Sequence, residues 1–206
     1  MKVVVFGATG RVGKEVVDEC LRRGYEVIAF TRKSIIQPQK NLSVIIGDAL
    51  NPDAVDKAIQ GADAVIIALG IKPSEKRDVI SAATANIISA MLHYKVKRLV
   101  CLSAYGVGES LREVPLISRL AFTTYLGRIF KDKYRQQQLI EASNLDWIIV
   151  RPTYFTKGPA RGNLLVGEKL KPKGLIATIS IKDVAKFMVD QLNNNEWVGK
   201  KVAISY

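Results

Sequence analysis

A chain of 206 residues, 48% of them hydrophobic and spread along its whole length, has room for one α/β domain with a full core, and that composition excludes a disordered protein. No apolar run approaches the ~20 residues of a membrane span, and the first apolar segment ends in glycine at position 7, unlike a secretory leader. A formal net charge of +12 points to an anionic partner: a phosphorylated cofactor, an acidic substrate or nucleic acid.

The basic residues are scattered, with no run of four and no interleaved aromatics, so nucleic acid is not expected as the main partner. Neither is a membrane, and the expected compartment is the cytoplasm. Cys20 and Cys101 lie far apart and outside any CxxC, which reads as two reduced, core-facing thiols. His93 stands alone at the end of a helical pattern, with no carboxylates spaced to help it hold a metal, and no metal site is expected.

The first element is a short β-branched strand at 2–6. It runs into Gly7-Ala8-Thr9-Gly10-Arg11-Val12-Gly13, after which an amphipathic helix begins. Glycines at this spacing, between a strand and a helix, permit three things: a tight turn, close backbone approach to a pyrophosphate, and close helix–strand packing. The helix's exposed N–H groups and positive end then receive phosphates, so the turn reads as a dinucleotide site.

A second strand at 26–30 ends in Thr31-Arg32-Lys33, and no acid occurs between Val27 and Gly47. A carboxylate at this place would accept from the ribose hydroxyls of NAD. Arg32 can instead fork onto a 2′-phosphate, with Arg11 as a second cation, which favours NADP(H) as cofactor; the alternative is a pair of ordinary surface cations. After the third strand, 43–46, "GDAL" sets Asp48 and Ala49 where a carboxylate can take the adenine amino group or cap a helix near Pro52. A fourth strand, 64–68, ends in Leu69 and Gly70, where a small residue lets the cofactor pass.

A helix at 75–93 carries Ile80, Ala83, Thr84, Ile87, Ile88 and Met91 on one face. A strand at 98–102, a helix at 131–142, a strand at 147–150, a helix at 181–193 behind a possible Ser180 cap, and a strand at 201–204 complete the alternation. Strands that are apolar throughout and alternate with helices imply an α/β doubly wound Rossmann fold, a mostly parallel sheet covered on both faces, as a single domain over 1–206. The segments 104–130 and 154–175 fit the alternation poorly. Both follow strands, at the carboxyl edge where such sheets bind ligands, and they are the expected substrate-side elements.

In this order, "VVFGATGRVG", "GDALNPDAVDKAIQGADAVIIALG", "RLVCLSAYGVG", "LIEASNLDWIIVRPTYF" and "ISIKDVAKFMVDQL" resemble the atypical short-chain dehydrogenase/reductase superfamily, in its NAD(P)H-binding, NmrA-like branch. The compact length is most similar to the biliverdin-IXβ reductase/flavin reductase type, monomers or small homo-oligomers that reduce flavins and tetrapyrroles with NADPH. The resemblance implies that Ser103 takes the catalytic serine place beside the nicotinamide. Lys133, eighteen residues before Arg151, takes the place of a Lys or His. Pro152 and Tyr154 in "RPTYF" fall beside the cofactor, and Tyr154 stands where the type has a histidine near the substrate. Its hydroxyl either bonds substrate or nicotinamide, or its ring packs on the cofactor.

The superfamily's tyrosine is missing. Four residues before Lys133 stands Ile129, Tyr125 and Tyr134 are out of register, and no YxxxK occurs. A ketone needs a proton donor at its developing alkoxide. Flavins, tetrapyrroles and quinones delocalise the incoming electrons and can take the proton from water. The implied function is NADPH-dependent reduction of such a planar conjugated acceptor, and the alternative is a non-catalytic NADP(H)-binding sensor or assembly factor. Within 104–130, Tyr105, Phe122 and Tyr125 can form a stacking wall, with Arg112, Arg119 and Arg128 pairing to anionic groups of the substrate; the alternative is a helix with its arginines in water.

Overall fold

Val3, Val4 and Val5 are all fully buried, because the strand they form has helices on both of its faces. The computed structural model describes residues 1–33, 37–71, 78–114, 126–170 and 177–206. In it β1 (Lys2–Phe6) lies between β2 (Glu26–Thr31) and β4 (Ala64–Ile67), parallel to both. With β3 (Leu42–Ile46), β5 (Arg98–Leu102), β6 (Asp146–Pro152), β8 (Leu165–Gly167) and β10 (Lys200–Ser205), the sheet order is β3-β2-β1-β4-β5-β6-β10-β8. The order reverses direction beside β1, at the junction with β4, the switch point where the connections leave the carboxyl edge in opposite directions and such sheets bind ligands.

Side-chain alternation divides β1 between two cores. Val3 and Val5 pack with α1 (Arg11–Arg22) and α5 (Ile181–Asp190). Val4 and Phe6 pack with α2 (Pro52–Ile59), α3 (Val79–His93) and α4 (Gly127–Glu141). Both layers of the expected Rossmann architecture are present. Helix α5 starts on Ser180, whose Oγ accepts from the Lys182 N–H at 3.2 Å.

The differences from expectation lie at ends and in short elements. Helix α4 begins at Gly127 rather than 131, and α5 stops at Asp190 rather than 193. The described part of α3 begins at Val79; residues 75–77 lie outside the described residues. Segment 154–175 contributes β7 (Tyr154–Thr156), paired with β9 (Thr178–Ser180), and β8, antiparallel to β10. Three-residue strands leave too little sequence for a period to show.

The two thiols are free and buried, and burial pushes both up to about 12, so neither is a reactive nucleophile at neutral pH. His93 is exposed at the end of α3, edge-on to Tyr94 with ring centroids 4.7 Å apart. Among the described residues no three His, Cys, Asp or Glu side chains gather to hold a metal, and no helix is long and apolar enough to cross a membrane.

One long-range cap holds α3 against α4. The carboxylate of Asp132, fully buried on α4, accepts from the Ile80 and Ser81 N–H groups at 2.8 and 2.9 Å. Asp78, at the N-cap position itself, makes no capping bond. Asp132→Ala orphans both donors in the interior and should lower stability by about 2–4 kcal/mol in urea unfolding, with Asp132→Asn intermediate.

Acid should weaken the fold through two carboxylates held near 2. Hydrogen bonding from Arg22 pulls Glu19 down, with Arg23 adding to it against the cost of burial. Burial pushes Glu109 up, but bonds from Lys201, its own backbone and Arg151 prevail. Both sit below the ordinary carboxylate value of 4.5, so their contribution is complete above about 4.5 and is lost as pH falls through 2. The urea midpoint should be flat from pH 7 to 5 and drop between pH 4.5 and 2, and Glu19→Gln should reduce that drop.

Candidate active site

The turn after β1 is shaped by contacts that leave no space for side chains. Gly7 has φ +84°, and a Cβ there would lie 2.6 Å from the Ala68 carbonyl oxygen at the end of β4. A Cβ on Gly13 would fall 2.1 Å from the Gly7 oxygen, so the third glycine seats α1 on the turn itself rather than on the body of the strand. Gly10 is less confined: its N–H donates to the Gly7 oxygen at 2.9 Å, and a Cβ would meet that oxygen at 3.2 Å. Because Gly10 is the N-cap of α1 and has no side chain, the first-turn N–H groups start the helix without a side-chain cap.

That turn opens into a cavity of about 890 Å³ along the carboxyl edge of the sheet. Gly7, Thr9, Gly10, Arg11 and Val12 line it at one end. Thr31 at the end of β2 and Arg32 after it, Asp48 and Ala49 after β3, and Leu69 and Gly70 after β4 line the next part. Ser103 after β5 and Lys133 from α4 line the far end, with Ile80 and Phe155. The structure thus brings the expected phosphate turn, the cation after β2 and two of the three expected catalytic groups, Ser103 and Lys133, to one cavity.

Local bonds hold these side chains in place. The Thr31 Oγ accepts from the Lys33 N–H at 3.2 Å and donates to the Lys33 oxygen at 3.0 Å, a turn that leaves Arg32 exposed at its tip. Arg11 lies over the Phe155 ring, 5.9 Å from its centroid. Asp48 does not cap α2. Asn51 does so through the Asp53 N–H, and Asp48 Oδ1 takes the Leu50 N–H, each at 3.0 Å. That leaves Asp48 Oδ2 available at the cavity wall.

Around Ser103 the interior is polar and connected. Its Oγ accepts from Gln137 Nε2 at 2.6 Å, and Gln137 Oε1 accepts from the Arg151 guanidinium at 2.5 Å. Arg151 also pairs with Glu109 at 2.9 Å, which in turn receives Lys201 at 2.8 Å. The buried Lys133 ammonium donates to the Leu102 oxygen at 3.0 Å. Burial pushes its pKa below the ordinary lysine value, with Cys101 and Asp132 opposing.

Several expected residues are placed elsewhere. Tyr105 is buried against Val114, Leu170 and Ala203, and its hydroxyl reaches Glu113 Oε2 at 3.0 Å and the Leu170 oxygen at 3.4 Å. It is a packing residue under the 3-10 turn Gly108–Glu113 and does not line the cavity. Tyr154 is 44% exposed and off the cavity wall, and Phe155 lines the wall in its place. Consecutive residues of β7 point to opposite faces, so only one of the two can face inward. Pro152 and Gly13 do not line the cavity, nor does Arg128, exposed in the first turn of α4. Arg119, Phe122 and Tyr125 lie outside the described residues.

Phe155, Gln137 and Arg151 were not anticipated. Two signals stood in the sequence: Gln137 follows Lys133 at the helical spacing of four, and Arg151 is a charge at the end of an apolar strand that must find partners when buried.

The site's residues fit a dinucleotide: a cradle that any Cβ would fill, an open helix N-terminus and a cation after β2. Comparison with known proteins agrees. Residues 7–195 match the NAD(P)H-binding family. The divinyl chlorophyllide a 8-vinyl-reductase of Arabidopsis thaliana is 30% identical over 92% of this chain and 49% of its own length. The photosystem II assembly factor Ycf39 of Synechocystis is 25% identical over 92% of this chain and 57% of its own. The chain therefore spans about half of each of these two relatives. Among solved structures, a short-chain dehydrogenase/reductase from Veillonella parvula in complex with NADP shares the fold at TM-score 0.81 and 19% identity, covering 100% and 94% of the two chains. ChuY, an anaerobillin reductase from Escherichia coli O157:H7, does so at TM-score 0.82 and 20% identity, covering 99% and 96%. By the match across most of its length, and by the glycine cradle that explains it, the chain belongs to the NAD(P)H-binding family.

Proposed function

We propose that this protein is an NADPH-dependent reductase of a planar conjugated acceptor: a flavin, a tetrapyrrole or a quinone. One observation carries the reading: Ser103 and Lys133 line the same cavity as the glycine turn and Arg32. In this reading the first-turn N–H groups of α1 hold the pyrophosphate and Arg32 and Arg11 hold the 2′-phosphate. Asp48 takes the adenine amino group, Leu69 and Gly70 flank the ribose, and Ser103 and Lys133 hold the nicotinamide end. Bound NADPH supplies a hydride.

The protein's own contribution is positioning and exclusion of water. Lys133, its amine held on the Leu102 oxygen at the cavity, offers N–H donors where negative charge grows on the acceptor, and burial strengthens such a bond over that of a surface lysine. No tyrosine is in register to act as proton donor, since Ile129 takes its place and Tyr134 is 41% exposed. Acceptors that spread the incoming charge and take their proton from water suit such a site. The reductase relative supports this class of activity, and placement in the NmrA-like branch near the biliverdin-IXβ reductase/flavin reductase type is part of the same proposal.

The absent tyrosine and the Ycf39 relative favour a second reading, a non-catalytic NADP(H)-binding sensor or assembly factor. Steady NADPH oxidation with FMN or menadione, well above the rate of the free reagents, supports the reductase, and tight NADPH binding without turnover supports the sensor.

Cofactor choice is testable separately. Loss of a charge-assisted contact costs about 1.5–3 kcal/mol, so Arg32→Ala should reduce the NADPH over NADH preference roughly tenfold or more in binding titrations. Unchanged affinities would make Arg32 a surface cation. Gly10→Val should leave a folded chain, its Cβ displacing the Gly7 oxygen by only a few tenths of an ångström, and should abolish NADPH binding because the rest of the side chain occupies the cavity that Gly10 lines; retained affinity would place the cofactor elsewhere.

The acceptor's charge is the remaining proposal. If Arg119 and Arg128 meet an anionic substrate, FMN is reduced more efficiently than riboflavin and added salt narrows the gap. Arg119→Ala and Arg128→Ala should raise the Michaelis constant for FMN more than for riboflavin; an Arg128→Ala without effect would agree with that residue's place off the cavity. Equal kinetics for the two flavins at low salt would point to an uncharged acceptor such as a quinone.

A further inference from the structure

The Ser103 hydroxyl can either give or receive a hydrogen bond, and the residues behind it decide which. Arg151 is a guanidinium, a donor at every nitrogen. The Gln137 atom facing it must therefore be the carbonyl oxygen, at 2.5 Å. The other end of the same amide, 2.6 Å from Ser103 Oγ, must then be the NH₂ group, which can only donate. Ser103 Oγ is committed as an acceptor on its buried side. Its own hydrogen has no acceptor among the described residues, and the residue lines the cavity.

We propose that Gln137, oriented by Arg151, is a positioning residue that turns the Ser103 hydrogen into the cavity, so that the site takes an acceptor presenting a carbonyl oxygen or comparable lone pair to Ser103. The identity of the occupant rests on the reductase reading; the direction of the hydrogen bond does not.

The same chain of groups limits what Ser103 can do. An amide and a guanidinium do not relay protons near neutral pH, so nothing behind Ser103 can replace a proton it gave away. The hydroxyl therefore keeps its proton. It polarises the carbonyl and stabilises the negative charge that grows on it as two electrons arrive, while the balancing proton comes from water. This separates the site from one built around a tyrosine acid and agrees with the residue missing at Ile129.

The test inverts the polarity at constant shape. In Gln137→Glu one carboxylate oxygen stays on Arg151 and the other accepts from Ser103, drawing the hydrogen out of the cavity. The probe is menadione bound to the protein with oxidised NADP, read by its infrared carbonyl stretch, which needs no turnover. The parent should show a carbonyl band at lower frequency than Ser103→Ala, and Gln137→Glu should return it to the Ser103→Ala position while NADPH affinity stays within about threefold. Gln137→Met adds no charge and leaves the hydroxyl free to rotate; it should show bonded and unbonded bands together, which keeps the test decisive if Gln137→Glu does not fold. A parent band no different from that of Ser103→Ala, or a single parent-like band in the Gln137 variants that fold, overturns the proposal. A shifted band in a protein that never oxidises NADPH refutes the reductase reading and leaves the Gln137 assignment standing.

Discussion

The carbonyl of Gly7 is the point on which the rest of the site depends. It accepts from Gly10, it lies where a Gly13 side chain would be, and its own residue is pressed against Ala68. Three elements, β1, β4 and α1, converge within van der Waals contact at one peptide, and only hydrogen atoms fit between them. This closeness brings the helix start to the mouth of the crevice, which is where an anionic ligand gains from it.

Much of this was readable from residue order because it is local. The strand, the glycine spacing and the following helix are consecutive, and their geometry follows from short-range sterics. Arg32 and Asp48 could be located because each closely follows a strand of clear β-branched composition. The parallel sheet was legible for a related reason: strands buried on both faces need no alternation, so their apolar runs stand out.

What escaped was long-range or one residue out of phase. The Asp132 cap bridges more than fifty residues of sequence, and nothing in its neighbourhood signals it. Tyr105 and Tyr154 carry side chains suited to a flat ligand, yet a strand's two-residue period gives the wall at β7 to Phe155 and not to Tyr154. Residue type identified what the site needs, and orientation decided which neighbour supplied it. Gln137 shows the converse, a residue without chemistry of its own whose importance comes from lying between a fixed donor and a hydroxyl.

Adjacent residues of α4 tie stability to the site. Asp132 clamps the start of α3, and Lys133, the next residue, reaches the oxygen of Leu102 at the cavity. Neither bond survives an axial slip or local opening of that turn, so the helix is indexed at two points by one segment of backbone. A ligand that engages Lys133 therefore also suppresses opening of the Asp132 clamp. Its binding becomes visible as slowed hydrogen exchange at the amides of Ile80 and Ser81, both bonded to that clamp, without any change in the average structure.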